Sequence, residues 1–298
     1  MQVRDKEIAS ALDQASQRAA SESRSYEPGR AIPRRLHQIY LSGEPPAPLR
    51  ANVDALRALN PGWVHRLYSA AEAETFIADE YGSAILERYH AIAPGYGAAR
   101  ADLLRYLLIY RLGGVYLDVK SGADRPFDTV LDPDDAFIVS QWDNAPGGTH
   151  FNAALHPELH EVAGGEFQQW HVIAAPGHPF LRAVIERVLY LIDSYNPYRV
   201  GVGLNVIRVT GPIPYTLAIA PLLAHHSHRR IATERAIGLH YSTLGNDDAH
   251  KRHFRGHYSR RRTPIVGRER GSIANAPLLT FLVARSLIRR ALKRFGAS

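Results

Sequence analysis

Two short stretches of this 298-residue chain hold reactive side chains at spacings that chemistry can use. In "ARADLLRY" (99–106), Asp102 and Arg105 stand three apart. On a helix that spacing puts both on one face, and Arg100 lies just inside the helix start. In "GGVYLDVKSG" (113–122), Asp118 closes a short apolar run and Lys120 follows two residues later. Ligands in open α/β sheets bind off the carboxyl ends of strands, which is where Asp118 falls. A carboxylate, a guanidinium and a second carboxylate would then converge on one crevice. The plainer alternative is an Asp102–Arg105 pair within the helix and an Asp118 that caps a turn.

The elements that must position these residues can be read on either side. Leu103, Leu104, Leu107, Leu108 and Leu112 recur at helical spacing in "PGYGAARADLLRYLLIYRLGG". Gly113 and Gly114 stop that helix, since left-handed backbone costs glycine little. "IPRRLHQIYL" (32–41) reads as a first strand, "LRANVDALRAL" as a helix ended by "NPG", and "WVHRLY" as an alternating strand. Ser69 is placed to cap "AAEAETFIADEY". "VYLDV", "FIVSQWD" and "QQWHVIAA" read as further strands, "HPFLRAVIERVLYLIDSY" as a helix, and "VTGPIPYTLAIAPLL" as a turn into an apolar helix. Strands alternating with helices predict an α/β fold, a mostly parallel sheet with helices on both faces.

Composition bounds the chemistry. There are no cysteines, which excludes disulfides, a Cys-ligated zinc and a Cys nucleophile. Residues 1–30 are polar and lack the apolar core of a signal peptide. No run of about eighteen apolar residues occurs. The net charge of +7 is uneven: His250 to Ser298 carries thirteen Lys/Arg against Glu269, a net of 13 − 1 = +12, which leaves 7 − 12 = −5 for the rest. A basic tail on an acidic body points to an anionic partner, a membrane surface or a nucleic acid.

With the residues quoted, a resemblance becomes specific. "ARADLLRYLLIYRLGGVYLDVKSGADRPFD" resembles the core of the DXD-type sugar transferases of glycosyltransferase family 32, and more distantly the glucosylating clostridial toxins. "IPRRLHQIYLSGEPPAP", "LNPGWVHRLYS", "AAPGHPFLRAVIE" and "VTGPIPYTLAI" are similar to the family's outer blocks, so the likeness spans about residues 32–260. It implies a GT-A fold, Rossmann-like and nucleotide-sugar binding, over residues 31–262; the residues themselves read as a polar helical extension at 1–30 and a basic amphipathic tail at 263–298. It implies transfer of a hexosyl group from a UDP- or GDP-linked sugar, with retention, to a glycan or lipid-linked acceptor. Asp102 and Arg105 would hold donor-sugar hydroxyls, and Asp118 would lie against the ribose and a metal-bound diphosphate. His37, Gln38, Ile39 and Tyr40 would form the nucleotide floor, with Arg100 and Lys120 as further nucleotide contacts. The leaving diphosphate gains charge as the glycosidic bond breaks, so catalysis is positioning plus charge stabilisation, which Mn2+ or Mg2+ held by carboxylates supplies in such enzymes.

The sequence departs from the family at the second motif acid, which is Lys120 here. An ammonium does not ligate a cation and repels it, by roughly 4 kcal/mol per unit charge at about 4 Å and an effective dielectric of about 20. Lys120 either faces the diphosphate itself, or points away while another acid such as Asp124 holds a metal with Asp118, or marks an inactive sugar-binding homologue. Among residues of the C-terminal part, "GLHYSTLGNDDAHKRHFRGHYS" offers His240, Asn246, Asp247, Asp248, His250, His253 and His257. Asp247 and His257 are the candidate metal ligands there. Asp143 ends a strand near the site and is a candidate on the acceptor side, as are Glu166 and Gln168. His156 and His160 are four apart, a metal-pair spacing, but without a third ligand a surface pair is the plainer reading.

"NAPLLTFLVARSLIRRALKRF" puts Phe281, Ala284, Ile288, Ala291, Leu292 and Phe295 on one helical face and Arg285, Arg289, Arg290, Lys293 and Arg294 on the other. A basic amphipathic helix of this kind at 276–296 lies on an anionic bilayer, or docks on the body by its apolar stripe. The membrane reading predicts a cytoplasmic, peripheral protein. Binding of nucleic acid through the same tail is the reading from another class, but no nucleic-acid motif accompanies it and none is expected as a partner.

Overall fold

A six-stranded sheet in the order β2-β1-β3-β6-β5-β7 organises the structure, a computed structural model that describes residues 25–200, 205–244, 261, 263–267, 280, 281 and 284. The strands are β1 (Arg35–Ile39), β2 (Val64–Tyr68), β3 (Gly114–Leu117), β5 (Phe137–Val139), β6 (His171–Ala174) and β7 (Arg229–Arg230). β1 pairs in parallel with both β2 and β3, and β5 with β7. β6 runs antiparallel to β3 and β5. The sheet is thus mostly parallel, with one reversed strand at its centre. A small second sheet joins β4 (Gly122–Ala123) to β8 (Leu239–His240).

The helices flank this sheet: α1 (Ala47–Leu59), α2 (Ala70–Tyr81), α3 (Ser83–Ala91), α4 (Gly97–Leu112), α5 (Pro179–Asp193), α6 (Pro197–Val200), α7 (Val206–Val209) and α8 (Pro212–Ile219). Ser69 caps α2 as the sequence predicts, in a reciprocal capping box with Glu72. α4 is apolar nearly all round and correspondingly buried, with Leu103, Leu104, Leu107, Leu108 and Ile109 fully inaccessible. It packs between α5 and the sheet in the larger core.

The turn that reverses the chain from α4 into β3 admits only glycine. Gly113 has φ +63°, and a Cβ there would meet Pro176 Cδ at 2.6 Å; Gly114 has φ +106°, and its Cβ would meet the Arg35 carbonyl at 2.4 Å. This tight reversal lays β3 back along α4, so a side chain from the middle of the helix can reach the end of the strand. Tyr26 docks the N-terminal described segment on the body, edge-on to Tyr81 and Tyr110.

Candidate active site

Arg105 joins the two acids singled out in the sequence. Its guanidinium lies 2.9 Å from Asp102 Oδ1 and 3.3 Å from Asp118 Oδ1. A third bond, 2.7 Å, goes to the Gln169 carbonyl, and the plane stacks 4.8 Å from the centroid of the Tyr116 ring. Tyr116 in turn donates to Asp118 Oδ1 at 2.9 Å. Asp102 accepts from the Thr210 hydroxyl (2.8 Å) and the Gln169 side-chain amide (3.3 Å). Burial pushes the Asp102 carboxyl up, opposed by the Arg105 charge and the Thr210 bond. Burial works against the Arg105 cation, but Tyr116 and the two carboxylates outweigh it and hold the guanidinium charged. Asp102 and Arg105 are nearly inaccessible, whereas the Asp118 side chain keeps 24% of its surface exposed.

That exposed edge opens into a cleft of about 620 Å³. The cleft lies past the carboxyl ends of β1 and β3, the location expected of a ligand site in an α/β sheet. Ile39 and Tyr40 form part of its wall, together with Arg100, Asp102, Arg105, Asp118 and Lys120. The volume is that of a ligand pocket.

Lys120 is almost fully buried. Its ammonium sits 3.1 Å from the centroid of the Tyr241 ring and donates to the Tyr241 carbonyl at 3.2 Å. The turn that carries it is clamped from two sides: Asn52 bonds the carbonyls of Val119 and Ser121, and Thr243 bonds that of Lys120. The ammonium is therefore a fixed feature of the cleft wall.

Several sequence expectations are corrected. His37 and Gln38 lie too far back along β1, and neither lines the cleft. His37 bonds Tyr68 and the Gly113 carbonyl, and burial holds its pKa down at about 4. Gln38 braces the Asp118 turn from behind, through the Asp118 carbonyl at 3.4 Å. Asp143 is taken up by its own loop, accepting from the Thr149 backbone and hydroxyl. Asp124 is half exposed outside the cleft, paired with His240. Gln168 is buried against Ser140 and Glu234. His160 is exposed beside Glu161, while His156 pairs with Glu166. Asn246, Asp247, Asp248, His250, His253 and His257 lie outside the described residues, as does most of the 276–296 tail. Of that tail, Phe281 stands edge-on to Tyr198 at 5.3 Å.

Glu166 does face the cleft, bonded at 2.8 Å to both Trp142 and His156, which line it too. Thr210, Gln169 and Tyr241 are neighbours of the cluster and of Lys120 that the sequence did not disclose, because each reaches them from a distant segment. The Thr-Gly-Pro turn at 210–212 was the one available signal.

Residues 46–137 match the family described as a glycosyltransferase sugar-binding region containing a DXD motif. This stretch carries Asp102, Arg105, Asp118 and Lys120. Among curated relatives, inositol phosphoceramide mannosyltransferase 3 of Schizosaccharomyces pombe is 28% identical over 186 residues, 61% of this chain and 43% of that protein. Mannosyl phosphorylinositol ceramide synthase SUR1 of Saccharomyces cerevisiae is 30% identical over 184 residues, 61% of this chain and 40% of that protein. The chain spans less than half the length of these relatives. Among solved structures, the PaToxG glycosyltransferase is similar over 73% of this chain and 79% of that chain, at 15% identity and a TM-score of 0.42.

The described residues do not fit a divalent cation at Asp118. No group of three His, Asp or Glu side chains able to hold a metal occurs among them. Asp118 Oδ1 is already engaged by Arg105 and Tyr116, and the side chain two residues on is the ammonium of Lys120, which does not ligate a cation.

Proposed function

We propose that this chain is a GT-A glycosyltransferase that moves a hexose from a UDP- or GDP-linked sugar to an acceptor hydroxyl. The carrying observation is the Asp102–Arg105–Asp118 network on the wall of a ligand-sized cleft. Burying Asp102 and Arg105 costs solvation that hydrophobic packing would not, and Asp118 keeps an edge open to the cleft, which supports a binding role for the cluster. The wall at Ile39 and Tyr40 takes the nucleotide, Asp118 and Arg105 the sugar hydroxyls and ribose, and Arg100 lies on the same wall. The finer kinship, to glycosyltransferase family 32 and distantly to the clostridial toxins, belongs to the same reading.

In the step itself the acceptor oxygen bonds to the anomeric carbon. The bond from that carbon to the phosphate oxygen breaks with its electron pair on the diphosphate, which takes up the acceptor proton. Retention of configuration is part of the proposal. Rigid positioning of the sugar by the buried network supplies the alignment on which such a step depends.

Mannose and an inositol-phosphate lipid are the sugar and acceptor favoured by the names of the relatives. A feature of this chain supports an acceptor with an apolar body. Phe151 and Leu155, both more than half exposed, flank Ala153 and Ala154, which line the cleft. The reading extends to a site of action at the cytoplasmic face of a membrane, supported by the basic amphipathic pattern at 276–296. No helix among the described residues is long and apolar enough to cross a membrane.

The test is titration with UDP- and GDP-sugars, following melting temperature, then release of nucleoside diphosphate in the presence of a glycolipid acceptor. Stabilisation by a nucleotide-sugar and acceptor-dependent release support the reading. No response to any nucleotide-sugar, together with tight salt-sensitive DNA binding, would transfer the assignment to the nucleic-acid reading.

A further inference from the structure

The cleft holds a cation of its own, Lys120, two residues past Asp118, where a DXD motif has its second acid. We propose that Lys120 carries the charge compensation of the donor diphosphate, so that this chain binds and uses its nucleotide-sugar without a divalent cation. The inference rests on the glycosyltransferase reading above and deepens it.

Three observations lead there. First, Lys120 is built in. Its ammonium is held by the ring and carbonyl of Tyr241, and its own carbonyl by Thr243. An ordinary surface lysine swings freely and gains nothing from such a mount; this one is nearly inaccessible yet lines the cleft. A cation positioned before its ligand arrives needs no reorganisation when charge develops.

Second, among the described residues the charge on the cleft wall favours an anion. Arg100, Arg105, Lys120 and Arg261 line it, against Asp102, Asp118 and Glu166. Arg105 is shared by Asp102 and Asp118, and Glu166 is bonded to Trp142 and His156. These described acids are engaged with protein donors, and Lys120 stands on the Asp118 turn itself, two residues on.

Third, the same ammonium opposes a metal. A dication drawn to Asp118 would meet Lys120 and Arg105 at close range, and like charges in a partly desolvated site repel strongly. A single group therefore both supplies the compensating charge and excludes the ion that would otherwise supply it. As the glycosidic bond breaks, the electron pair left on the phosphate oxygen is met by an ammonium already in place. No electron donor or further reactant is needed.

The experiment measures binding of GDP-mannose, UDP-glucose and the corresponding free nucleoside diphosphates by calorimetry, in EDTA and in Mn2+. The wild-type chain is expected to bind in EDTA with an affinity within about threefold of that in Mn2+. Lys120→Met is expected to weaken binding at least tenfold in both buffers, with Lys120→Arg recovering most of it. Lys120→Asp restores the acid pair and is expected to bind better in Mn2+ than in EDTA. Wild-type binding that requires Mn2+ overturns the inference and leaves the glycosyltransferase reading standing. Undiminished binding by Lys120→Met overturns it as well. No binding of any nucleotide by wild type in either buffer removes both. The comparison of buffers on wild type needs no variant, so a misfolded substitution does not block the test.

Discussion

The guanidinium of Arg105 reaches Asp118 at 3.3 Å across the gap between a helix and the strand that follows it. The contact exists because Gly113 and Gly114 fold β3 back along α4 with no side chain in the way. It is the point at which a buried pair inside the helix becomes connected to an exposed edge in the cleft. Stability alone does not account for it, since hydrophobic residues of similar volume would avoid desolvating Asp102 and Arg105.

Removing the guanidinium should therefore damage fold and function together. Arg105→Met leaves Asp102 buried without its cation, at a cost of about 3–5 kcal/mol, and the melting temperature should fall by on the order of 10 °C. Arg105→Lys keeps the charge but cannot fork between Asp102, Asp118 and the Gln169 carbonyl. It should recover part of the stability and little of the transfer activity. Calorimetric melting alongside sugar-nucleotide turnover separates the two; full activity in Arg105→Lys would deny the fork its role.

Asp118→Asn should behave differently. The replacement is nearly isosteric, the side chain is partly exposed, and the amide can still accept from Tyr116. Melting temperature should change little, while turnover should fall by about 10²-fold, the usual loss when a positioned polar contact to the reacting group is removed. Turnover within a few-fold of wild type would place the acid outside the reaction.

The contrast between these residues shows what a sequence can carry. Asp102, Arg105 and Asp118 were legible because helix periodicity, a glycine stop and a strand end fix their relations within a few turns of chain. The alternation of strands and helices similarly disclosed the sheet and its main helices. Thr210, Gln169 and Tyr241 were not legible, since their contacts depend on how distant segments pack. The reversed direction of β6 was invisible for the same reason. His37 and Gln38 were placed in the cleft because a strand's sequence does not say where its ligand-facing end begins; only Ile39 and Tyr40 lie far enough along. Asp143 and Asp124 look reactive in sequence, but the first serves its own loop and the second pairs with His240.

Buried histidines make stability depend on pH in a definite direction. Burial holds the His37 imidazole at about 4 and that of His171 at about 3, against about 6.5 in an unfolded chain. Both are neutral in the fold, so the unfolded state binds more protons once pH falls below 6.5. Stability is complete above that value, declines as pH drops from 6.5 towards 4, and levels off below the folded values. At up to about 1.4 kcal/mol per pH unit and histidine, His37 alone contributes a loss on the order of 3 kcal/mol. Urea midpoints measured at pH 7, 6, 5 and 4 should show this decline, with a shallower slope in His37→Gln. An unchanged slope in that variant would mean His37 titrates normally.

The rim of the cleft supplies a prediction about the acceptor alone. Phe151 and Leu155 are 56% and 53% exposed to solvent. The loop around them includes Asn152 and Ala154 in left-handed backbone, at φ 60° and 62°, a conformation that costs a non-glycine residue of order 1–3 kcal/mol. Ala154 itself lines the cleft. Two exposed apolar side chains held beside a cleft by a strained loop suit an acceptor that brings apolar surface with it. The double substitution Phe151→Ser, Leu155→Ser removes little that the core needs, so melting temperature should stay within a few degrees. Transfer to a glycolipid acceptor presented in vesicles should fall by about tenfold, the equivalent of roughly 1.4 kcal/mol of lost apolar contact. Hydrolysis of the donor in the absence of acceptor should be unchanged, because Ile39, Tyr40 and Lys120, the wall proposed for the nucleotide, are untouched. Equal loss in both assays would show that the loop supports the cleft as a whole, and no loss in either would leave the apolar rim without a part in acceptor binding.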